Sequence, residues 1–173
     1  KNLSEGIEFD MVLENHLDYC VKHGLTQASE HLIMYLEDGG YKRSKVLESY
    51  NTLVGSLEKL ENILPNITDD FKFQLIRELI NRESRNVLNH VRRTFDSSQN
   101  ESEKLRLASY LMELQDIKGV KFYLKYINQK KVVPDDSAPT NPLYRLTTVK
   151  ALSYIFQLYE MSYNESIKQG RFN

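Results

Sequence analysis

The chain has 173 residues, 40% of them hydrophobic and 27% charged, with 23 Lys+Arg against 24 Asp+Glu for a net charge of −1. That is one domain's worth of chain with enough apolar side chain for a continuous core. One cysteine, Cys20, excludes an internal disulfide framework and points to a reducing, cytoplasmic compartment. No run approaches the length of a membrane span, and the start at Lys1 without a leader suggests a piece excised from a longer protein.

The pattern predicts helices throughout, with no strand. The first runs from about Glu8 to His23, with Phe9, Val12, Leu13, Leu17 and Val21 inward and Gly24 as its stop. Thr26 is expected to cap a second, carrying Ala28, Leu32, Ile33 and Leu36 to the Gly39–Gly40 break. A long third helix spans about Lys42 to Ile63, with Val46, Leu47, Tyr50, Leu53, Val54, Leu57 and Leu60 on one stripe and Pro65 beyond it. Thr68 is expected to cap a fourth, whose stripe is Phe71, Leu75, Ile76, Leu79 and Ile80. A fifth covers about Ser84 to Phe95 with Val87, Leu88, Val91 and Phe95.

The sixth and seventh lie in "EKLRLASYLMELQDIKGVKFYLKYI" (Glu103 to Ile127). Leu105, Leu107, Ala108, Leu111, Met112 and Leu114 form one stripe, and Ile117, Val120, Leu124 and Ile127 the next. Asp116 between them has the chemistry of an N-cap, and so short a connection folds two helices back as a hairpin. Gly119 costs about 1 kcal/mol relative to Ala inside a helix, so it either lets a neighbouring helix approach closely or is simply tolerated. Residues 128–146 read as a Pro-rich inserted loop with Pro134, Pro139 and Pro142. An eighth helix is expected from Thr147 or Thr148, burying Ala151, Leu152, Ile155, Phe156, Leu158 and Tyr159.

The fourth and fifth helices overlay the sixth and seventh at an offset of 32 residues: Phe73 meets Leu105, Leu79 meets Leu111, Leu88 meets Val120, and Phe95 meets Ile127. A helix–turn–helix unit recurring at such a spacing is the signature of an α-solenoid of antiparallel pairs, about eight helices in one domain over 1–173. An irregular bundle of similar helices is the alternative.

The hairpin, the Pro-rich insertion and "NPLYRLTTVKALSYIFQLYEMSYNE" resemble HEAT-type helical repeats. More narrowly, "KALSYIFQLYEMSY" after such a loop is similar to the C-terminal helical arrays of bacterial NACHT or STAND-type NTPases. The resemblance implies a sensing or scaffolding segment whose parent chain carries the nucleotide-hydrolysing domain elsewhere. No catalytic residue carries over, because "GGYKRS" (Gly39 to Ser44) lacks the glycine–lysine order that cradles phosphate.

His16, Cys20 and His23 share one helical face, and with His31 they have donors that suit zinc, but no CxxC or second ligand pair supports them. Core packing is the expected role of His16, Cys20 and His23, so no metal and no cofactor is assigned. Asp69–Asp70 and Asp135–Asp136 read as solvated or helix-starting acids rather than cation ligands. The Asn-x-Ser/Thr sequons at Asn2, Asn66, Asn100 and Asn164 read as caps and loops.

Charge is uneven: residues 1–70 sum to −7 and residues 71–173 to +6. Arg92, Arg93, Lys118, Lys121 and Lys125 fall opposite the apolar stripes, and Arg93 coincides with Lys125 in the 32-residue overlay. Stacked repeats would line them into a basic ladder. The expected function is a non-catalytic scaffold or sensor that binds a protein partner, with other domains of its own parent chain as further contacts and no membrane. A nucleic-acid binder using a basic ladder in residues 82–131 is the alternative, and an ordinary solvated face is the bland reading of the same charges.

Overall fold

Every described segment of regular backbone is helical. A computed structural model of the chain describes residues 3–38, 42–130, 152–153, 156–157, 160, 163–164 and 167. Eight α-helices lie within residues 3–130: α1 (Leu3–Lys22), α2 (Ser29–Glu37), α3 (Arg43–Thr52), α4 (Leu57–Ile63), α5 (Phe71–Asn81), α6 (Val87–Ser97), α7 (Glu101–Glu113) and α8 (Ile117–Lys130). Short 3-10 turns cover Thr26–Ala28 and Leu64–Asn66. None of the described helices is long and apolar enough to cross a membrane.

The expected third helix is two. Val54, not glycine, takes a left-handed conformation (φ 56°) and ends α3, while Ser56 Oγ accepts the Lys59 N–H to start α4. Val54 projects into solvent at 82% exposure, which overturns its place on the core stripe. Gly55 is required there, because a Cβ on it would sit 2.2 Å from the Tyr50 ring.

This break repeats. Apart from Lys42 at the start of α3, the left-handed residues among those described are Gly24, Val54, Glu83 and Gln115, at intervals of 30, 29 and 32 residues. Each turn is closed by the same bond, in which the following N–H donates to the carbonyl five residues back: Leu25 to Cys20, Gly55 to Tyr50, Ser84 to Leu79, and Asp116 to Leu111, at 2.8–2.9 Å. This is the Schellman closure, which satisfies carbonyls that a helix end would otherwise orphan. The second helices then start on side-chain caps where one is available. Ser84 Oγ accepts the Val87 N–H at 3.2 Å, and Asp116 Oδ1 accepts the Lys118 N–H at 3.0 Å.

Other expectations shift at the ends. The helix expected from about Glu8 begins at Leu3, and Thr26 opens a 3-10 turn with no side-chain cap on α2. Asp69, not Thr68, holds the start of α5 by accepting the Phe71 N–H at 3.0 Å. Asn100 caps α7, its Oδ1 accepting the Glu103 N–H at 3.1 Å. α8 continues to Lys130, so the first residues assigned to the Pro-rich loop are helical; the rest of that loop, and the Gly39–Gly40 break, lie outside the described residues. Residues 152–153, 156–157, 160, 163–164 and 167 are helical, but Leu152 and Phe156 are exposed rather than buried. The remaining apolar residues assigned to that helix, Ala151, Ile155, Leu158 and Tyr159, lie outside the described residues.

The chain divides into two compact units, residues 1–87 and 88–173. In the first, α3 packs on α1 and α5 on α3, α4 packs on α2, and α2 and α4 each pack on the helix that follows. Leu36, Val46, Tyr50, Leu60, Leu75 and Leu79 are fully buried in its core. In the second, α7 and α8 make an intimate pair over Leu107, Ala108, Leu111, Met112 and Val120, all inaccessible to solvent. Gly119 permits this, since a Cβ there would lie 2.4 Å from the Ala108 carbonyl oxygen.

Candidate functional site

Each predicted cation sits on a second helix of a helix–turn–helix unit, and the structure divides the five by what they touch. α6 and α8 lie side by side, with the Phe95 and Phe122 rings edge to face at 5.1 Å. Arg92 Nε donates to Asp116 Oδ2 at 2.5 Å, and Asp116 is almost buried. Lys118 pairs with Asp96 and stands 5.6 Å from the centroid of the Phe95 ring. These two cations therefore tie α6 to α8. Arg93, Lys121 and Lys125 are exposed and form no ion pair among the described residues. What remains available to a ligand is a set of three cations on two adjacent helices. Tyr123 and Tyr126 next to them are half-buried.

A second polar node was invisible in the sequence. The Tyr50 hydroxyl donates to the Ser56 carbonyl at 2.9 Å, and Arg82 Nη2 donates to the Gly55 carbonyl at 2.7 Å. Burial pushes the Tyr50 hydroxyl above its ordinary value, although the Arg82 charge pulls it down. Gly55 followed by Ser56 was the one available signal, a stop and a cap in sequence, and the apolar stripe running across it hid both. The node is structural, because it locks the turn between α3 and α4 to the end of α5.

Cys20 is buried as expected, but His16 and His23, expected to pack, are exposed, as is His31. Among the described side chains of α1, Leu17 and Cys20 are buried while Val12 and His16 stand in solvent. His23 instead stacks on Tyr19 with centroids 4.3 Å apart. Among the described residues no three His, Cys, Asp or Glu side chains gather as a metal site, and no buried side-chain nitrogen or oxygen lacks a partner. Asp69 pairs with Arg43. Its slight burial pulls its pKa upward, but the Arg43 hydrogen bond, the Phe71 N–H and the Arg43 charge outweigh that and lower it. Glu14 is likewise lowered by the hydrogen bond and charge of Lys42.

No protein-family model, curated protein or solved structure matches the chain. Any functional reading therefore rests on the residues and their geometry.

Proposed function

We propose that the chain is a segment of a HEAT-like α-solenoid of antiparallel helix pairs, acting in the cytoplasm as a non-catalytic scaffold or sensor for a protein partner with an acidic surface. The observation that carries this is the reach of the side-chain bonds between helices. Lys42–Glu14, Lys59–Glu30, Asn66–Glu37, Arg82–Asn51, Ser84–Glu61 and Arg92–Asp116 span 23 to 31 residues, close to the interval between the left-handed turns. Links that reach about one repeat are what a stack of nearest neighbours produces. The sensing role and the parent chain with further domains follow the resemblance to NTPase-linked arrays.

Arg93 and Lys125, one repeat apart, with Lys121, are the residues assigned to the partner. A protein partner is favoured over nucleic acid because Arg92 and Lys118 are already neutralised within the fold. Tracking a phosphate backbone needs a longer row of free cations. The test compares a labelled Glu-rich peptide with a single-stranded oligonucleotide, on the native sequence and on the double variant Arg93→Glu, Lys125→Glu. Peptide binding that the variant abolishes, with its helical spectrum intact, supports the reading. Tight oligonucleotide binding with a salt slope that flattens in the variant transfers it to nucleic acid. Indifference of both probes to the variant shows the three cations to be a solvated face.

A further inference from the structure

The sequence of α6 offers one carboxylate, Asp96, with Arg93 three residues and Arg92 four residues before it. Side chains at either spacing are neighbours on a helix, so Asp96 could pair with an arginine without leaving α6. It pairs across the seam instead. Asp96 Oδ1 lies 2.5 Å from Lys118 Nζ of α8, and Arg92 is held by Asp116, Nε to Oδ2 at 2.5 Å. The sequence of α8 contains no acid. Asp96 and the cap residue Asp116 are therefore the carboxylates that α6, α8 and the start of α8 supply, and both are taken up between the helices. Arg93, Lys121 and Lys125 are left exposed.

The first turn of α8 imposes this division. Asp116 Oδ1 accepts the Lys118 N–H at 3.0 Å, which fixes the carboxylate and leaves Oδ2 to Arg92. Its side chain is only 7% exposed, so the charge is balanced by that partner rather than by water. Lys118 is steered by a second attraction, its Nζ standing 5.6 Å from the centroid of the Phe95 ring, next in sequence to Asp96. Phe95 is anchored in turn by its edge-to-face contact with Phe122 of α8. With Lys118 at 41% and Asp96 at 57% exposure, their pair adds little to stability. Its consequence is electrostatic: it occupies the acid that α6 places within reach of Arg93.

We propose that Lys118 is a positioning residue for the Arg93–Lys121–Lys125 surface: by holding Asp96 across the seam, it keeps Arg93 free to receive a carboxylate of an acidic partner. Asp96 and the partner's carboxylate compete for the same guanidinium, and Lys118 removes the internal competitor. Asp116 does the equivalent for Arg92 by claiming it outright. The role of Lys118 rests on the acidic-partner reading of that surface and assigns a task to a cation that itself touches no ligand.

The test measures what Arg93 contributes to binding of the Glu-rich peptide in the native chain, in Lys118→Met, and in Lys118→Met/Asp96→Asn. Arg93→Met should weaken binding about two- to fivefold in the native chain, the size of one exposed ion pair. In Lys118→Met it should have no effect, because Asp96 already holds Arg93. Removing Asp96 as well should restore the native loss. If Lys118 merely adds to the surface potential, Arg93 contributes equally in all three chains, and that result overturns the proposal. NMR of the arginine side-chain N–H groups reads the same division without a ligand. The Arg93 Nε–H should exchange with water more slowly in Lys118→Met than in the native chain, and at the native rate again once Asp96 is replaced. Exchange that Lys118→Met leaves unchanged overturns the proposal while the acidic-partner reading stands. An Arg93→Met variant that binds like the native chain, with the exchange steps present, refutes that reading and the role of Lys118 in it. Circular dichroism checks each fold, and Lys118→Gln replaces a Lys118→Met chain that does not fold.

Discussion

Gly119→Ala tests whether the close approach of α7 and α8 governs the stability of the second unit. Ala is the better helix former by about 1 kcal/mol, so on propensity alone the variant should gain that much. The structure opposes it. A Cβ at 119 would lie 2.4 Å from the Ala108 carbonyl oxygen, 2.9 Å from Leu111 Cβ and 3.0 Å from Met112 Cγ. The nearest obstacle is backbone, which cannot rotate away as a side chain can, so α7 has to withdraw along the contact. Overpacking costs about 1–3 kcal/mol, and a backbone obstacle places this site toward the upper end. Set against the propensity gain, the net loss is about 1–2 kcal/mol. Urea unfolding followed by circular dichroism reads it as a lower midpoint with an unchanged slope, and thermal melting as a fall of about 2–4 °C per kcal/mol for a chain of this size. Asn89→Ala, on the exposed side of α6, reports propensity alone and should be neutral or slightly stabilising. A Gly119→Ala chain as stable as the native one, or more so, would refute the close approach.

Leu111→Ala should cost about 2–5 kcal/mol because the side chain is fully buried, and Leu124→Ala toward the lower end because its edge is exposed; denaturant midpoints measure both. Val54→Gly should raise stability by up to about 1 kcal/mol in the same assay, since it relieves a β-branched residue held at φ 56°. A loss instead would mean that Val54 makes contacts its exposure does not suggest. For Asp69 the sign follows from a folded pKa depressed below its ordinary value of 3.8. The Arg43 pair therefore stabilises the chain above that value, and the contribution disappears as pH falls through the lower, folded value. Asp69→Asn should thus be slightly less stable at neutral pH, with a shallower acid loss of the urea midpoint. The effect is small, because the carboxylate is more than half exposed.

Helix existence was legible in the sequence because burial imposes a period that Leu75, Leu79, Leu111 and Val120 keep faithfully. The break between α3 and α4 was not, because its left-handed residue is a valine. That choice contradicts local preference and is sustained by the Tyr50–Ser56 and Arg82–Gly55 bonds, which form only once the chain has folded. The same blindness affected α1, whose apolar pattern is broader than the face it buries. Periodicity reports that a helix has a sticky stripe, not what covers it, and Val12 continues the stripe into solvent.

Two of the five ladder cations, Arg92 and Lys118, are paired within the fold for a related reason. Ser84 and Asp116 are equivalent cap positions in successive units, and each does two things. Its side-chain oxygen accepts an N–H at the start of the second helix, and it also bonds one repeat back, Ser84 to Glu61 at 2.5 Å and Asp116 to Arg92 at 2.5 Å. The residue two places on also reaches back, Asn86 to Glu61 and Lys118 to Asp96. The placement of the link persists while the chemistry of its partner inverts, from a carboxylate on α4 to a guanidinium on α6. A cap needs only an acceptor oxygen, so a hydroxyl that donates to a carboxylate and a carboxylate that accepts from arginine satisfy the same geometry. Residue-by-residue comparison scores such pairs as unrelated, which is why the 32-residue overlay kept its apolar register but few identities. Arg92 looked like one cation among five because the acid that claims it is an N-cap, a role that in sequence accounts for Asp116 fully and leaves its second oxygen unsuspected.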